Sequence, residues 1–229
     1  MNETSCDIHD VTRAASDLVA VGCNIGMTHL SDGFTRLRFS SVISAYANEV
    51  IQAVDEGVIS AWKGVQELMS EYEDLSSKAR FYLQNGIGLA AGVMQVRTGV
   101  AATAAPLGIG AVPGALLVAH GTNNIYEALG NIYQGPEART TVGPVRHFYQ
   151  SAFGNDQSGN VAYYSMDLFL SGYGMLRPVR KPGSFELFTH DPANYERGFR
   201  QAGKLALVLE ALVDFLTVDA MRKEAAAGW

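Results

Sequence analysis

The stretch from Phe81 to Tyr126 carries one formal charge, Arg97, in 46 residues. A helix that is apolar on all sides has to be central in a bundle or in contact with lipid, so this segment limits what the whole chain can become. Lys78 and Arg80 stand before it and Glu127 closes it. Glycines at 86, 88, 92 and 99 put small residues along its first half. Gly88 with Gly92 makes the small-x-x-x-small spacing that lets two helix backbones approach closely. Pro106, Gly108, Gly110, Pro113 and Gly114 then fall within nine residues. They remove helix donors and loosen the backbone, which predicts a break between two helical arms. The result is a helical hairpin with arms at Phe81–Ala105 and Gly114–Leu129.

A bilayer core about 30 Å thick asks for roughly 20 apolar residues per helix. The first arm has that length if Arg97 snorkels, pairs or lines a lumen, since a central arginine in lipid costs about 3 kcal/mol or more. The second arm is short and carries His120, Asn123, Asn124 and Glu127, so it suits a membrane only with those groups turned to a pore. The resting state is therefore expected to be a buried pair inside a water-soluble bundle. Release from polar, amphipathic neighbours at a membrane is compatible with that state.

The neighbours have this character. Val11, Ala15, Leu18, Val19 and Gly22 share one side of a pattern over Asp7–Ile25, which a turn at Ser31, Asp32 and Gly33 ends. From Arg36 to Arg80 apolar residues recur every three or four positions, predicting one long helix with an interruption near Gly57. Glu71, Glu73 and Asp74 project around that helix rather than to one point, so they read as a solvated face and not a cation site. Beyond the hairpin, Gln134–Gly143 is a connection, Val145–Phe153 an aromatic helix, and Gly154–Asn160 a turn. Val161–Met175 is apolar and aromatic. Arg177, Arg180 and Lys181 lie among prolines as a stiff basic turn, read as a solubilising loop because three charges fall short of a polybasic cluster. Phe185–Phe188 is expected to be extended, Asp191 before Pro192 to be a helix cap, and Asn194–Glu224 to be the last helix. The expected fold class is all-α, one helical-bundle domain over residues 1–229. Amphipathic helices occupy 1–80, the apolar hairpin 81–130 and C-terminal helices 131–229.

With 48% apolar residues the chain can fill a core, and its net charge of −6 argues against a general nucleic-acid partner. Cys6 and Cys23 are its two cysteines, so no disulfide framework is expected. The acidic MNETSCDIHD start lacks a basic region and apolar run. Synthesis in a bacterial cytoplasm without a signal peptide is the expectation, with later export by a machine that needs none.

A search for chemistry returns little. None of the five histidines has further ligands at metal spacing: His9–Asp10 and His190–Asp191 read as surface or capping pairs. Cys23 and His29 are not placed together by helical spacing. GIGLAAG at Gly86–Gly92 lacks the strand and lysine of a phosphate loop. His147, Tyr149 and Asp156 form the one clustered polar trio away from a clear helix face. No catalytic residue, cofactor or metal is assigned, and the chain is not expected to be an enzyme.

At GIGLAAGVMQV, HGTNNIYEAL, RPVRKPGSFELF and YERGFRQAGKLALVLEALVDFLT, covering about Phe81 to Thr217, the sequence resembles an uncharacterised proteobacterial family of unknown function with a Gly/Ala-rich apolar centre. Some members of that family resemble toxin or effector domains used between bacteria. The resemblance carries no catalytic residue to this chain.

Two functions are compatible with these readings. The first is a secreted antibacterial effector that disrupts or depolarises a target membrane. Gly88, Gly92, Gly99, Gly110 and Gly114 would serve packing and insertion, and Arg97, His120 and Asn123 would line the polar side. The Arg36–Arg80 helix would shield the hairpin beforehand. Its partners would be the target bilayer, a secretion delivery protein or chaperone, and a cognate immunity protein. The alternative is a non-catalytic soluble helical domain that binds a protein partner.

Overall fold

Asp7 caps the first helix, α1 (Ile8–His29), by accepting hydrogen bonds from the amides of His9 and Asp10, and the Asp7 amide in turn donates to the Asp10 side chain. This reciprocal box satisfies donors that a helix start otherwise leaves orphaned. Asp32 does the same for α2 (Gly33–Asp55), accepting from the Thr35 amide at 2.7 Å. A turn follows in which Gly57 has φ +70°, a left-handed value that suits glycine, and α3 (Ala61–Thr103) begins after it. The computed structural model describes residues 6–103, 110–184 and 192–226. The chain is all-α, with eight α-helices and a two-stranded ribbon among the described residues. By its internal contacts it divides into two compact units, Met1–Phe81 and Tyr82–Trp229.

In the first unit the predicted stripe of α1 is buried: Val11 and Leu18 are fully covered and Ala15 nearly so. They pack with Ala47 and Val50 of α2 and Val65 and Leu68 of α3. Full burial of a leucine such as Leu18 or Leu68 contributes about 1.5–3 kcal/mol. Val50, Val65 and Leu68 of the Arg36–Arg80 stripe thus join the α1 core within this unit, while Val42 and Val58 of the same stripe are exposed. Cys6 and Cys23 are free thiols.

The Arg36–Arg80 helix of the sequence reading is two pieces, separated at Gly57 as expected. The second piece does not stop at Arg80 but runs on as α3 to Thr103. Between Ala61 and Thr103 there is no proline and each glycine stands alone. A lone helical glycine costs about 1 kcal/mol, too little to end a helix that packing holds.

The second unit starts with residues 82–103 of α3 and turns back into α4 (Ala111–Gln134). Pro106 and Gly108 of the predicted break, and the last residues of its first arm, Ala104 and Ala105, lie outside the described residues. Pro113 and Gly114 fall inside α4 instead of in the break. Pro113 sits in the first turn, where its missing N–H has no intrahelical acceptor to lose, so the second arm starts at Ala111 and reaches Gln134.

The two arms run antiparallel, and their backbones meet at two glycine pairs. A Cβ placed on Gly92 would lie 2.7 Å from the Gly121 carbonyl oxygen, and one on Gly121 would lie 2.6 Å from that of Gly92. Gly99 and Gly114 oppose each other in the same way, at 2.6 and 2.8 Å.

Helix α5 (Pro144–Phe153) and helix α6 (Asp156–Leu176) follow. The expected turn over Gly154–Asn160 shrinks to two residues. Gly154 takes the left-handed conformation at φ +78°, and Asn155 caps α6 by accepting from the Ser158 amide at 2.7 Å. Strand β1 (Pro178–Arg180) then pairs antiparallel with β2 (Tyr195–Arg197), after a 3-10 turn at Pro192–Asn194. A short α7 (Gly198–Gln201) leads to α8 (Lys204–Ala226), which packs on α6. The last helix therefore starts at Lys204 rather than Asn194, because Tyr195–Arg197 are drawn into the ribbon. The expectations for Phe185–Phe188 and for Asp191 lie outside the described residues.

Gly121→Ala is expected to lower stability by about 1–3 kcal/mol through overpacking, a fall in Tm of roughly 2–4 °C per kcal/mol. Gly86→Ala, on the same hairpin with nothing within 4 Å of its added methyl, is expected to raise Tm slightly. Thermal unfolding of the two variants checks the pair, and equal shifts would remove the close-approach argument.

Candidate functional site

Every fully or nearly buried polar side chain of the described residues lies between positions 95 and 171: Gln95, His120, Asn123, Arg146, Asn160, Asp167 and Ser171. Helix α4 organises them. His120, Asn123, Asn124, Glu127 and Asn131 follow one another at helical spacing, so they share the face that the glycine pairs press toward the interior.

His120 is wholly buried. Its Nδ1 lies 3.3 Å from Asp167 Oδ1 and its Nε2 lies 3.3 Å from the Tyr149 hydroxyl. A carboxylate only accepts, so Nδ1 is the ring atom that donates to Asp167. The ring stacks on Tyr163 at 4.8 Å between centroids, with planes 7° apart. Asp167 also accepts from Gln95 Nε2 at 3.0 Å and, at longer range, from Asn124 Nδ2. Asn124 in turn donates to Gln95 Oε1 at 2.8 Å and accepts from the Tyr163 hydroxyl at 2.6 Å. Burial holds the Tyr163 phenol well above its ordinary pKa, with the charges of Asp167 and Glu127 pushing the same way.

Asn123 links this group to α5. Its Nδ2 donates to Glu127 Oε1 at 2.9 Å and to the Tyr163 hydroxyl at 3.0 Å, and its Oδ1 accepts from the Val145 amide at 2.9 Å. Glu127 Oε1 accepts from the Gly143 amide at 2.8 Å. The start of α5 has no capping side chain of its own, so α4 supplies the cap from outside. Gly143 makes room for it, since an added Cβ would overlap Asn123 Oδ1.

Arg146 closes the far end. Its guanidinium lies 3.5 Å from Glu127 and 3.6 Å from Glu224, donates through Nε to Asn160 Oδ1 at 2.7 Å, and sits 4.9 Å over the Tyr164 ring. A cavity of about 270 Å³ opens beside this end, and Asn124, Glu127, Arg146, Tyr163 and Asp167 are among the residues lining it. On α8, Glu210 and Asp214 face Ser171, whose hydroxyl donates to Asp214 at 3.2 Å. Burial raises the pKa of both carboxyls, with the charge of Asp167 pushing both the same way and that of Asp214 adding to it at Glu210.

The predicted site residues separate into three groups. Gly92, Gly99 and Gly114 are at the backbone crossing, and Gly110 is pressed against the Ala102 carbonyl. Gly88 is not: a Cβ there would be 4.0 Å from Ala128, an ordinary contact, so the spacing that brings the backbones together is seven residues, not four. His120 and Asn123 are in the polar seam. Arg97 is exposed and belongs to a different cavity, lined also by Arg177 and Glu210. The trio His147, Tyr149 and Asp156 does not assemble, since Tyr149 turns to His120 while the other two are exposed. Sequence reading had Asn124 among the polar residues of the second arm but missed Gln95, Arg146, Asn160 and Asp167 as partners. The polar spacing along α4 was the one local signal for them. No group of three or more metal-ligating side chains is present among the described residues.

With its three partners deprived, Asn123→Ala is expected to cost about 3 kcal/mol, because buried groups left unpaired carry their full desolvation penalty. Thr122→Ala, on the exposed face next door, should stay within about 0.5 kcal/mol. Urea midpoints of the two variants measure the difference. Because the folded-state pKa of Glu210 is raised above the ordinary 4.5, its contribution is complete below that value and is lost as pH rises through the folded pKa. Glu210→Gln should therefore melt higher than the parent at neutral pH and at the same temperature in acid. A gap that widens in acid would reverse the assigned direction.

No curated protein matches the chain. No solved structure matches it either. A family model does match, over residues 60–203, from the start of α3 to the end of α7, taking in residues 60–80 as well as the hairpin, the polar seam and the ribbon. The chain belongs to the family described as Protein of unknown function (DUF4225).

Proposed function

We propose that this chain acts at a membrane, as an antibacterial effector whose α3–α4 hairpin exchanges protein contacts for lipid and dissipates an ion gradient. The observation that carries the reading is the distribution of polarity in the second unit. Its interior is a hydrogen-bonded polar seam, while Val93, Val100, Val112, Leu129 and Phe169 are more than half exposed. Helices that satisfy polar groups among themselves and turn aliphatic and aromatic groups outward meet the condition a low-dielectric surrounding sets. His120 and Asn123 would remain on the inner, polar side after insertion. The resemblance to effector domains used between bacteria supports the same reading. On it, the partners are target-cell lipid, a secretion delivery protein or chaperone, and a cognate immunity protein, after synthesis in a bacterial cytoplasm.

A second reading, a non-catalytic domain whose exposed apolar surface binds a protein, is favoured by one specific observation. No helix among the described residues is long and apolar enough to cross a membrane. Contiguous apolar surface fits a protein partner as well as lipid.

Purified protein added to dye-loaded liposomes is expected to release dye, and expression with a periplasmic signal is expected to depolarise bacteria and arrest growth where cytoplasmic expression does not. An intact dye signal at both neutral and mildly acidic pH would abandon the membrane reading in favour of the partner-binding one.

A further inference from the structure

We propose that the β1–β2 ribbon and the cavity behind it bind the phosphate headgroup of an anionic phospholipid. This rests on the membrane reading and names the surface chemistry that would bring the chain to a bilayer. Three cations of the sequence, Arg177, Arg180 and Lys181, are too few to make a polybasic cluster. The fold adds to them, because β1 and β2 pair with Pro178 opposite Arg197 and Arg180 opposite Tyr195. That register brings in Arg197 on β2, Arg200 on α7 and Lys204 at the start of α8.

The segment 177–204 thus holds six lysines and arginines against three acids, Glu186, Asp191 and Glu196, in a chain whose net charge is −6. Glu186 and Asp191 lie outside the described residues. Clusters of this size attract anionic leaflets, each cation contributing about 1 kcal/mol near the surface. Several of these side chains are held by neutral acceptors: Arg197 Nη1 donates to the Leu176 carbonyl at 2.7 Å, Lys181 Nζ to that of Ala193 at 2.8 Å, and Arg180 Nε to Ser184 Oγ at 3.2 Å. None of the three makes an ion pair with a carboxylate among the described residues, and Glu196 is the one described acid that shares a surface pocket with Arg197 and Arg200.

Behind the ribbon is a cavity of about 420 Å³ whose floor includes Met94, Leu117, Leu170 and Phe199. Two arginines line it. Arg177 has its Nε buried without a hydrogen-bond partner among the described residues, and Arg97 makes no ion pair among them. A buried guanidinium nitrogen left unpaired is costly, and a phosphate oxygen is the acceptor that its fork geometry fits best. Glu210 is the one acid on the cavity wall, and burial favours its neutral form, so it opposes an anion less than an ordinary carboxylate would. Asp167 and Asp214 stand next to Glu210 and Ser171 but do not line the cavity. Apolar floor, cationic rim and an orphaned donor together fit an amphiphile with a phosphate head.

Flotation with phosphatidylcholine vesicles, and with vesicles half phosphatidylglycerol, tests the site. Binding is expected to be at least tenfold stronger on the anionic vesicles and to fall as salt is raised. Arg177→Gln and Arg200→Gln should each weaken it about fivefold, while Arg139→Gln, away from the ribbon, leaves it unchanged. Melting temperatures check that each variant folds, and exposed Arg200 carries the test if Arg177→Gln does not. Equal binding to both vesicle types, or displacement from them by millimolar inorganic phosphate, would overturn the lipid site. Dye release is read on the same vesicles. Anionic preference without release keeps the headgroup site and removes the membrane-disrupting activity. Release from both vesicle types with equal binding keeps the activity and removes the site.

Discussion

The approach of α3 and α4 at Gly92–Gly121 and Gly99–Gly114 sets the terms for the second unit. With no side chain between the backbones at these two levels, neighbouring residues are brought within hydrogen-bond reach across the crossing. Gln95 on α3 and Asn124 on α4 then join directly, and both reach Asp167 on α6. A crossing widened by one methyl at either level would separate groups whose desolvation is tolerable only while they remain paired. Packing of the smallest residue and pairing of the most polar ones are one condition here.

The seam that results is a chain of donors and acceptors spanning five helices, α3 to α6 and α8. Several of its members both give and receive: Tyr163 accepts from Asn123 and donates to Asn124, and Asn123 serves Glu127 and Tyr163 while receiving the Val145 amide. Such networks specify one arrangement more sharply than an apolar core does, since a shifted register leaves several groups unpaired at once. His120 and Asp167 are almost fully enclosed, at 1% and 8% side-chain exposure.

Much of the fold was legible from periodicity. Val11, Ala15 and Leu18 announced the buried side of α1, Gly57 the end of α2, and the uncharged glycine-rich segment the hairpin. What escaped depended on tertiary partners. Nothing local says that α3 should pass Arg80 unbroken, because a charged face and an apolar face can alternate along one helix without any change in backbone preference. Gly88 with Gly92 looked like the packing pair, yet rotation about α3 presents Gly92 with Gly99 to α4. The final helix was read ten residues too long at its start because Tyr195–Arg197 pair with a strand about seventeen residues earlier, a contact no sequence window contains. In the candidate site His120 and Asn123 stood out as polar intruders in an apolar run. Their partners on α5 and α6 sit 22 or more residues away on helices whose composition looks ordinary.

Helix α5 begins on caps that belong to α4, with Asn123 and Glu127 closing the Val145 and Gly143 amides and Glu127 also facing Arg146. The first turn of α5 is thus conditional: its backbone donors depend on α4, while its guanidinium is shared between Glu127 of α4 and Glu224 of α8. A chain folding from its unfolded ensemble cannot complete that turn before α4 is seated. By the same linkage, any departure of α4 from its place frays α5 from its first residue and leaves Arg146 to Glu224 and Asn160 alone. Loosening of the hairpin would register first as amide exchange at Gly143 and Val145, at the far end of a lever whose fulcrum is Asn123 and Glu127.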